Sequence, residues 1–366
     1  RSLAKGDIVE FPTKGADIKF ATWRLLKQDY IVVGHTTSSG NGMVQVSYEL
    51  WDVNKQQGLL NQQMPPAPAG DLRGVAHQIA DQIYQKITGV RGAFWTRMAY
   101  ITAVGLGDHI TYSLIVADSD GFNPQVVARS KESLLSPSWS PDGTKIAYVS
   151  FESGNSAIYV QDITTGSRQL VEAHAKGING APAWSPDGKQ LAVALSYQGN
   201  LELYVLDLAT RHETRLTHNL AIDTQPAWAP DGQSIYFTSD RSGRPQIYQI
   251  PVAGGTAQRI SFQGQGNQDP AVSFDGKQIA MVQSNGNVYR IVVMDRSLGD
   301  QVRPLSPGPL DEAPSFAPNA SMLLYAATEG RHGVLYAVSA DGLVRQRLVL
   351  SDGDVREPAW GPYRQQ

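Results

Sequence analysis

No cysteine occurs in the 366-residue sequence. Disulfides, thiolate catalysis and Cys-ligated zinc are thereby excluded. No uninterrupted apolar run reaches the roughly eighteen residues that a membrane-spanning helix needs. Neither sign of charge dominates: 31 Lys and Arg face 34 Asp and Glu, a net charge of −3. That balance gives no electrostatic case for nucleic acid or an anionic membrane as partner. Also missing are a Gly-x-Ser-x-Gly nucleophile elbow, a His-Glu-x-x-His zinc helix and a phosphate loop. Arg1, not methionine, comes first, so the first residues do not read as a native translation start, and any export signal would already be gone.

Glycine and proline, in contrast, are plentiful at 35 and 21 residues, and they are placed periodically. The stretch Pro182-Ala183-Trp184-Ser185-Pro186-Asp187-Gly188 has variants beginning at Pro137, Pro226, Pro270, Pro314 and Pro358. Successive spacings are 45, 44, 44, 44 and 44 residues. A period of this length marks a solenoid or propeller. Two residues after each anchor proline stands a large apolar side chain: Trp139, Trp184, Trp228, Val272, Phe316 or Trp360. Asp-Gly then supplies a hairpin turn, because it tolerates positive φ. The residue before each anchor proline is expected to be extended. Third-strand landmarks at Ile115, Tyr159, Tyr204, Tyr248, Val292 and Tyr336 keep the same period. Four strands per repeat define a propeller blade.

Anchors and landmarks are out of phase. Ile115 precedes every anchor, and Pro358 has no strands after it. The segment Pro358-Ala359-Trp360-Gly361 should therefore provide the innermost strand of the blade begun by residues 94–130, which closes the ring and removes its edges. Before the repeats, residues 17–28 read as a helix with Ile18, Ala21, Trp23 and Leu25 toward a core. Tyr30–Gly34 reads as a buried strand, Met43–Val53 as an alternating strand after a hairpin loop at residues 38–42, and Gln56–Gln63 as a third strand. A helix follows from Leu72, capped by Asp71 and ended by Gly89. The predicted fold is thus two domains: a small α/β domain over 1–91, lacking its natural start, and an all-β six-bladed propeller over 92–366 closed by the C-terminal strand.

If the anchor strand is innermost, the segments leading into it form one mouth of a central channel. The loops near residues 133–136, 176–181, 223–225, 265–269, 310–313 and 354–357 belong there. They bring Asp223, Asp269, Asp311, Glu312 and Glu357 to one rim, which suits a polypeptide or a cation. The aspartates of the Asp-Gly turns (Asp142, Asp187, Asp231, Asp275) fall on the opposite face and read as turn residues. Asp118-Ser119-Asp120-Gly121 reads as a turn too, since the other ligand positions of an EF-hand are absent. Arg241 and Arg244 read as solvated charges. His35 and His77 have no second ligand at metal spacing, so no metal is assigned; calcium at the rim carboxylates is the one alternative.

The blade motif, together with Asn179-Gly180-Ala181, Phe237-Thr238-Ser239-Asp240-Arg241, Gly243-Arg244-Pro245-Gln246-Ile247-Tyr248, Leu310-Asp311-Glu312 and Ala76-His77-Gln78-Ile79-Ala80-Asp81, resembles the TolB family of Tol-Pal propellers across nearly the whole chain. The resemblance implies export to the periplasm, no enzymatic activity and no cofactor. It implies binding of the peptidoglycan-associated lipoprotein Pal at the channel mouth, in support of outer-membrane integrity and constriction at cell division. It also implies that colicins use the same mouth in some bacteria. Contact with TolA is implied through an N-terminal segment that is not recognisable before Arg1. By motif, Ala181 and Thr224 fall on Pal-binding positions. Ile178 stands where the family often has histidine, and Asn179 follows it. With the five rim carboxylates, these four residues make up the expected partner site. The competing function is a propeller enzyme of lactonase or lyase type that uses a channel-bound divalent cation. A peptidase regulatory propeller is disfavoured by the closing strand.

Overall fold

The computed structural model describes residues 5–172, 174, 177–350 and 353–365. The chain divides into two compact units, Arg1–Trp95 and Thr96–Gln366.

The first unit is built on one antiparallel sheet. Strand β1 (Tyr30–Gly40) pairs with β2 (Met43–Asp52), and β2 pairs with β3 (Gln57–Gln63). Asn41 and Gly42 form the β1–β2 turn with φ of 51° and 74°, the left-handed pair that a two-residue hairpin needs. β1 is longer than the apolar run suggests and only half-buried. Ile31 and Val33 face the core, while Tyr30 and Val32 are exposed, so the run is a one-faced strand and not a buried one. The first helix is also shorter than its apolar spacing suggests. α1 covers only Phe20–Leu25, and Lys27 turns left-handed at φ 55° to end it. Trp23 is buried from this helix and Ile18 just before it, but Leu25 is 84% exposed. These two residues join Ile31, Val33 and Val53 in one cluster. α2 (Leu72–Thr88) sets Val75 against Tyr48 and Met64 on the other side, and Gly89 ends it at φ 79°. Asp71 occupies the position before α2 without a capping bond from its side chain. Among the described residues, no helix is long and apolar enough to cross a membrane.

Among the described residues, the second unit contains six four-stranded antiparallel sheets. Blades 2 to 6 follow the sequence, with innermost strands Leu134–Trp139, Asn179–Trp184, Asp223–Trp228, Gly266–Val272 and Asp311–Phe316. Blade 1 is composite. Its innermost strand is Asp354–Tyr363, which pairs with Thr96–Val104. The C-terminal strand thus closes the ring, as the phase of the repeats required.

Each part of the repeated motif has a visible task. The tryptophan N–H reaches the neighbouring blade: Trp139 Nε1 donates to Ala359 O at 3.0 Å and Trp184 Nε1 to Ser138 O at 3.1 Å. In the turn, Ser185 Oγ donates to Asp187 Oδ1 at 2.6 Å, and Asp187 accepts from Lys189 N at 3.1 Å. The Ser185 hydroxyl and then the Lys189 amide hold the Asp187 carboxyl below the ordinary aspartate range. The turn glycines 143, 188, 232 and 276 all have φ near 70°. In the fifth copy Ala320 takes that place at φ 57°. Asp118–Gly121 is a turn as well, closed by Gly121 N donating to Asp118 O at 2.8 Å.

Candidate functional site: the channel and its mouth

The residue before each anchor proline is not extended. Ser136, Ala181, Gln225, Asp269, Ala313 and Glu357 have φ between 50° and 56°, in the left-handed region, in all six blades. The ladder explains why. In blade 3 Gly180 pairs with Ala194 and Ala183 with Ala192, so Ala181 and Pro182 together oppose Val193 alone. This is a β-bulge, and the same register shift recurs in every innermost strand. Proline has no N–H to lose at such a point. The bulge re-aims its residue, and all six bulge residues line a cavity of about 440 Å³.

Polar bulge side chains serve the next blade. Gln225 Oε1 accepts from Asp269 N at 3.1 Å, and Glu357 accepts from Ser136 N across the closing seam. Burial, reinforced by Glu312, pushes the Asp269 carboxyl up to about 6, although the Ala313 N–H opposes the shift. Burial pushes Glu357 up to about 7, against the Ser136 N–H and with help from the Asp269 and Glu312 charges. The channel therefore holds carboxylates that resist ionising together.

The expected site residues separate into three groups. Ala181, Asp269, Glu312 and Glu357 line the cavity. Ile178 is 55% exposed on the approach to blade 3, and Thr224 is half-buried one residue before Gln225. Asn179, Asp223 and Asp311 are buried, so their side chains are withdrawn from the rim where the sequence placed them. Asn179 Nδ2 donates to Ser156 O at 2.9 Å. Asp223 accepts both carboxylate bonds from Arg241 Nη2, at 2.9 and 2.7 Å. Asp311 accepts from Gly308 N at 2.8 Å. These polar groups tie the incoming strand to its surroundings. Arg241 is correspondingly no solvated charge, for it also lies over the Tyr248 ring at 4.8 Å. Arg244 Nη1 donates to Gln265 Oε1 at 3.1 Å. Lys176, at the start of one expected mouth loop, lies outside the described residues. Ser136, Gln225 and Ala313 join the lining beside the expected residues. Their signal was positional: each immediately precedes an anchor proline.

A closed six-bladed propeller with a bulge-lined channel, preceded by a small α/β unit, is the class of protein that the fold and site define. The family profile described as TolB beta propeller domain matches residues 84–364, and that of the TolB amino-terminal domain matches residues 1–59. The chain belongs to the TolB family. It is 63% identical over 365 residues to the Tol-Pal system protein TolB of Xanthomonas oryzae pv. oryzae (strain MAFF 311018), covering 100% of this chain and 83% of the relative. The protein of that name from Xanthomonas campestris pv. campestris (strain B100) is 62% identical with the same coverage. The crystal structure of TolB from Acinetobacter baumannii superposes with a TM-score of 0.89 at 42% identity, covering 95% of this chain and 86% of that one. A chain in a nidogen/laminin complex, at 10% identity and a TM-score of 0.58, shares the fold alone.

Proposed function

We propose that the chain is a non-enzymatic periplasmic binding component of a Tol-Pal assembly, with the lipoprotein Pal held at the channel mouth. The observation that carries this reading is the ring of six left-handed bulges, which sets variable side chains around one cavity on a rigid scaffold. Apolar groups stand exposed on segments leading to the same strands: Ile178 at 55%, Ile222 at 49% and Leu310 at 50%. Exposed apolar side chains beside polar ones suit a folded protein partner, whose interfaces combine both. The names of the Xanthomonas relatives support the Tol-Pal assignment.

Calorimetric titration with purified soluble Pal tests the proposal. Saturable binding is expected, and Thr224→Arg and Ala181→Lys should each weaken it about tenfold or more, a loss of about 1.4 kcal/mol. A folded sample that does not bind Pal would sink the reading. Unchanged affinity in both variants would remove the site from this mouth. A lactonase and lyase activity screen, repeated on Asp269→Asn and Glu357→Gln in the channel, separates binding from the alternative of a channel-bound cation.

A further inference from the structure

Away from the channel, three side chains from two neighbouring blades converge. Glu172 ends the outer strand of blade 2 (Arg168–Glu172), and Glu213 begins the outer strand of blade 3 (Glu213–Arg215). His174 lies between them. Its Nε2 is 3.2 Å from Glu213 Oε1 and 3.4 Å from Glu172 Oε1. The three donor atoms all lie within 4.8 Å of one another.

These distances fit two arrangements, a hydrogen bond to one carboxylate or a shared cation. Nε2 is also 3.3 Å from Glu213 Oε2, so a hydrogen bond to Glu213 is within reach, but one Nε2–H cannot serve Glu172 as well. Donors bound to one tetrahedral zinc at about 2.0–2.1 Å stand about 3.3 Å apart. Both Nε2 separations fall at that tetrahedral edge.

The imidazole is held from outside the trio. The Tyr197 ring stacks on it with centroids 3.6 Å apart, and Tyr197 Oη donates to Glu213 Oε2 at 3.2 Å. The His174 backbone is fastened at both ends to the buried Asn179. His174 N donates to Asn179 Oδ1 at 3.1 Å, and Asn179 Nδ2 donates to His174 O at 3.0 Å. Such support fixes ring orientation, the usual work of groups behind a metal ligand. The side chains keep 10%, 29% and 22% of their surface exposed for Glu172, His174 and Glu213, so an ion can enter from solvent.

We propose that Glu172, His174 and Glu213 bind a divalent ion of the zinc class, with water as fourth ligand, bridging blades 2 and 3. One imidazole with two carboxylates favours zinc or cobalt over calcium, which prefers six or more oxygens. The proposal is independent of Pal binding.

The test is calorimetric titration of the metal-stripped full chain with Zn²⁺, and with Ca²⁺ as comparison. One equivalent of Zn²⁺ should bind with Kd below about 10 µM near pH 7.5, and Ca²⁺ should bind at least about tenfold more weakly. His174→Ala and Glu213→Gln should each weaken Zn²⁺ about tenfold or more. Glu213→Gln is close in shape and keeps an acceptor for Tyr197, so it remains informative if the histidine variant does not fold. His212→Ala, one residue from Glu213, should leave the affinity unchanged. Co²⁺ should give the visible absorption of a tetrahedral site in the parent chain and none in Glu213→Gln. Zn²⁺ binding weaker than about 100 µM, or binding that survives Glu213→Gln, overturns the proposal.

Discussion

Trp228 Nε1 donates to Ala183 O at 3.0 Å, linking blade 4 to the innermost strand of blade 3. The ring of Trp228 is buried, so this bond acts where water does not compete. Trp228→Phe keeps most of the apolar volume and leaves the carbonyl without this donor. It should lower stability by about 1–3 kcal/mol. Trp228→Ala adds a cavity and should cost about 3–5 kcal/mol. Urea unfolding followed by far-UV circular dichroism would read both, and equal losses would mean that the N–H contributes nothing.

Ala320 occupies a turn position where four other copies of the motif have glycine, and it does so at φ 57°. An alanine there is strained by about 1 kcal/mol relative to glycine. Ala320→Gly should therefore raise stability by about 0.5–1 kcal/mol, and Gly188→Ala in the intact copy should lower it by a similar amount. Thermal unfolding of the two variants side by side checks the sign of each.

Asp223 has no exposed side-chain surface and is held by Arg241. Arg241→Ala would leave a buried carboxylate without its cation and should cost about 3–5 kcal/mol. The double variant Asp223→Ala/Arg241→Ala should lose less than the sum of the single variants. A double-mutant cycle in urea measures the coupling, and strict additivity would contradict the pairing.

Asp269 and Glu357 have carboxyls raised to about 6 and about 7. Both therefore bind protons more tightly in the folded state than in the unfolded chain. The stability this confers is complete below about pH 4 and is lost as pH rises through about 6 and then about 7. Asp269→Asn and Glu357→Gln should flatten the stability profile between pH 5 and 8 and raise stability at pH 8 by about 1–2 kcal/mol each, discounting for water in the channel. Melting temperatures across that pH range check the slope, and parallel profiles for parent and variants would refute the assignment.

The ring was legible because its signals are local and repeated. Pro137 through Pro358, the tryptophans and the Asp-Gly turns each fix backbone geometry or blade contact wherever they occur. The closing strand was legible because Pro358 begins a copy with no strands after it. The bulges were not, since Ser136, Ala181, Gln225, Asp269, Ala313 and Glu357 share no side-chain chemistry and a residue before proline is expected to be extended. What they share is a place in a ladder, and that exists only once strands pair. Asp223 reads as an exposed rim acid until Arg241, 18 residues away, is brought beside it. The first helix is shorter than its apolar spacing suggests for a related reason: over residues 17–28 only Phe20–Leu25 is α-helical, and Leu25 points to solvent.

The composite first blade has a consequence for synthesis. Trp360 Nε1 donates to Thr96 Oγ1 at 2.8 Å across 264 positions of sequence. At about 5–20 residues per second, the ribosome adds Trp360 roughly ten to fifty seconds after Thr96. During that interval Thr111–Asp118 is available to pair with Thr96–Val104 and Asp354–Tyr363 is not. Until Asp354–Tyr363 pairs with it, Thr96–Val104 carries an unsatisfied β-edge, and chaperone protection or aggregation would act most strongly on that edge.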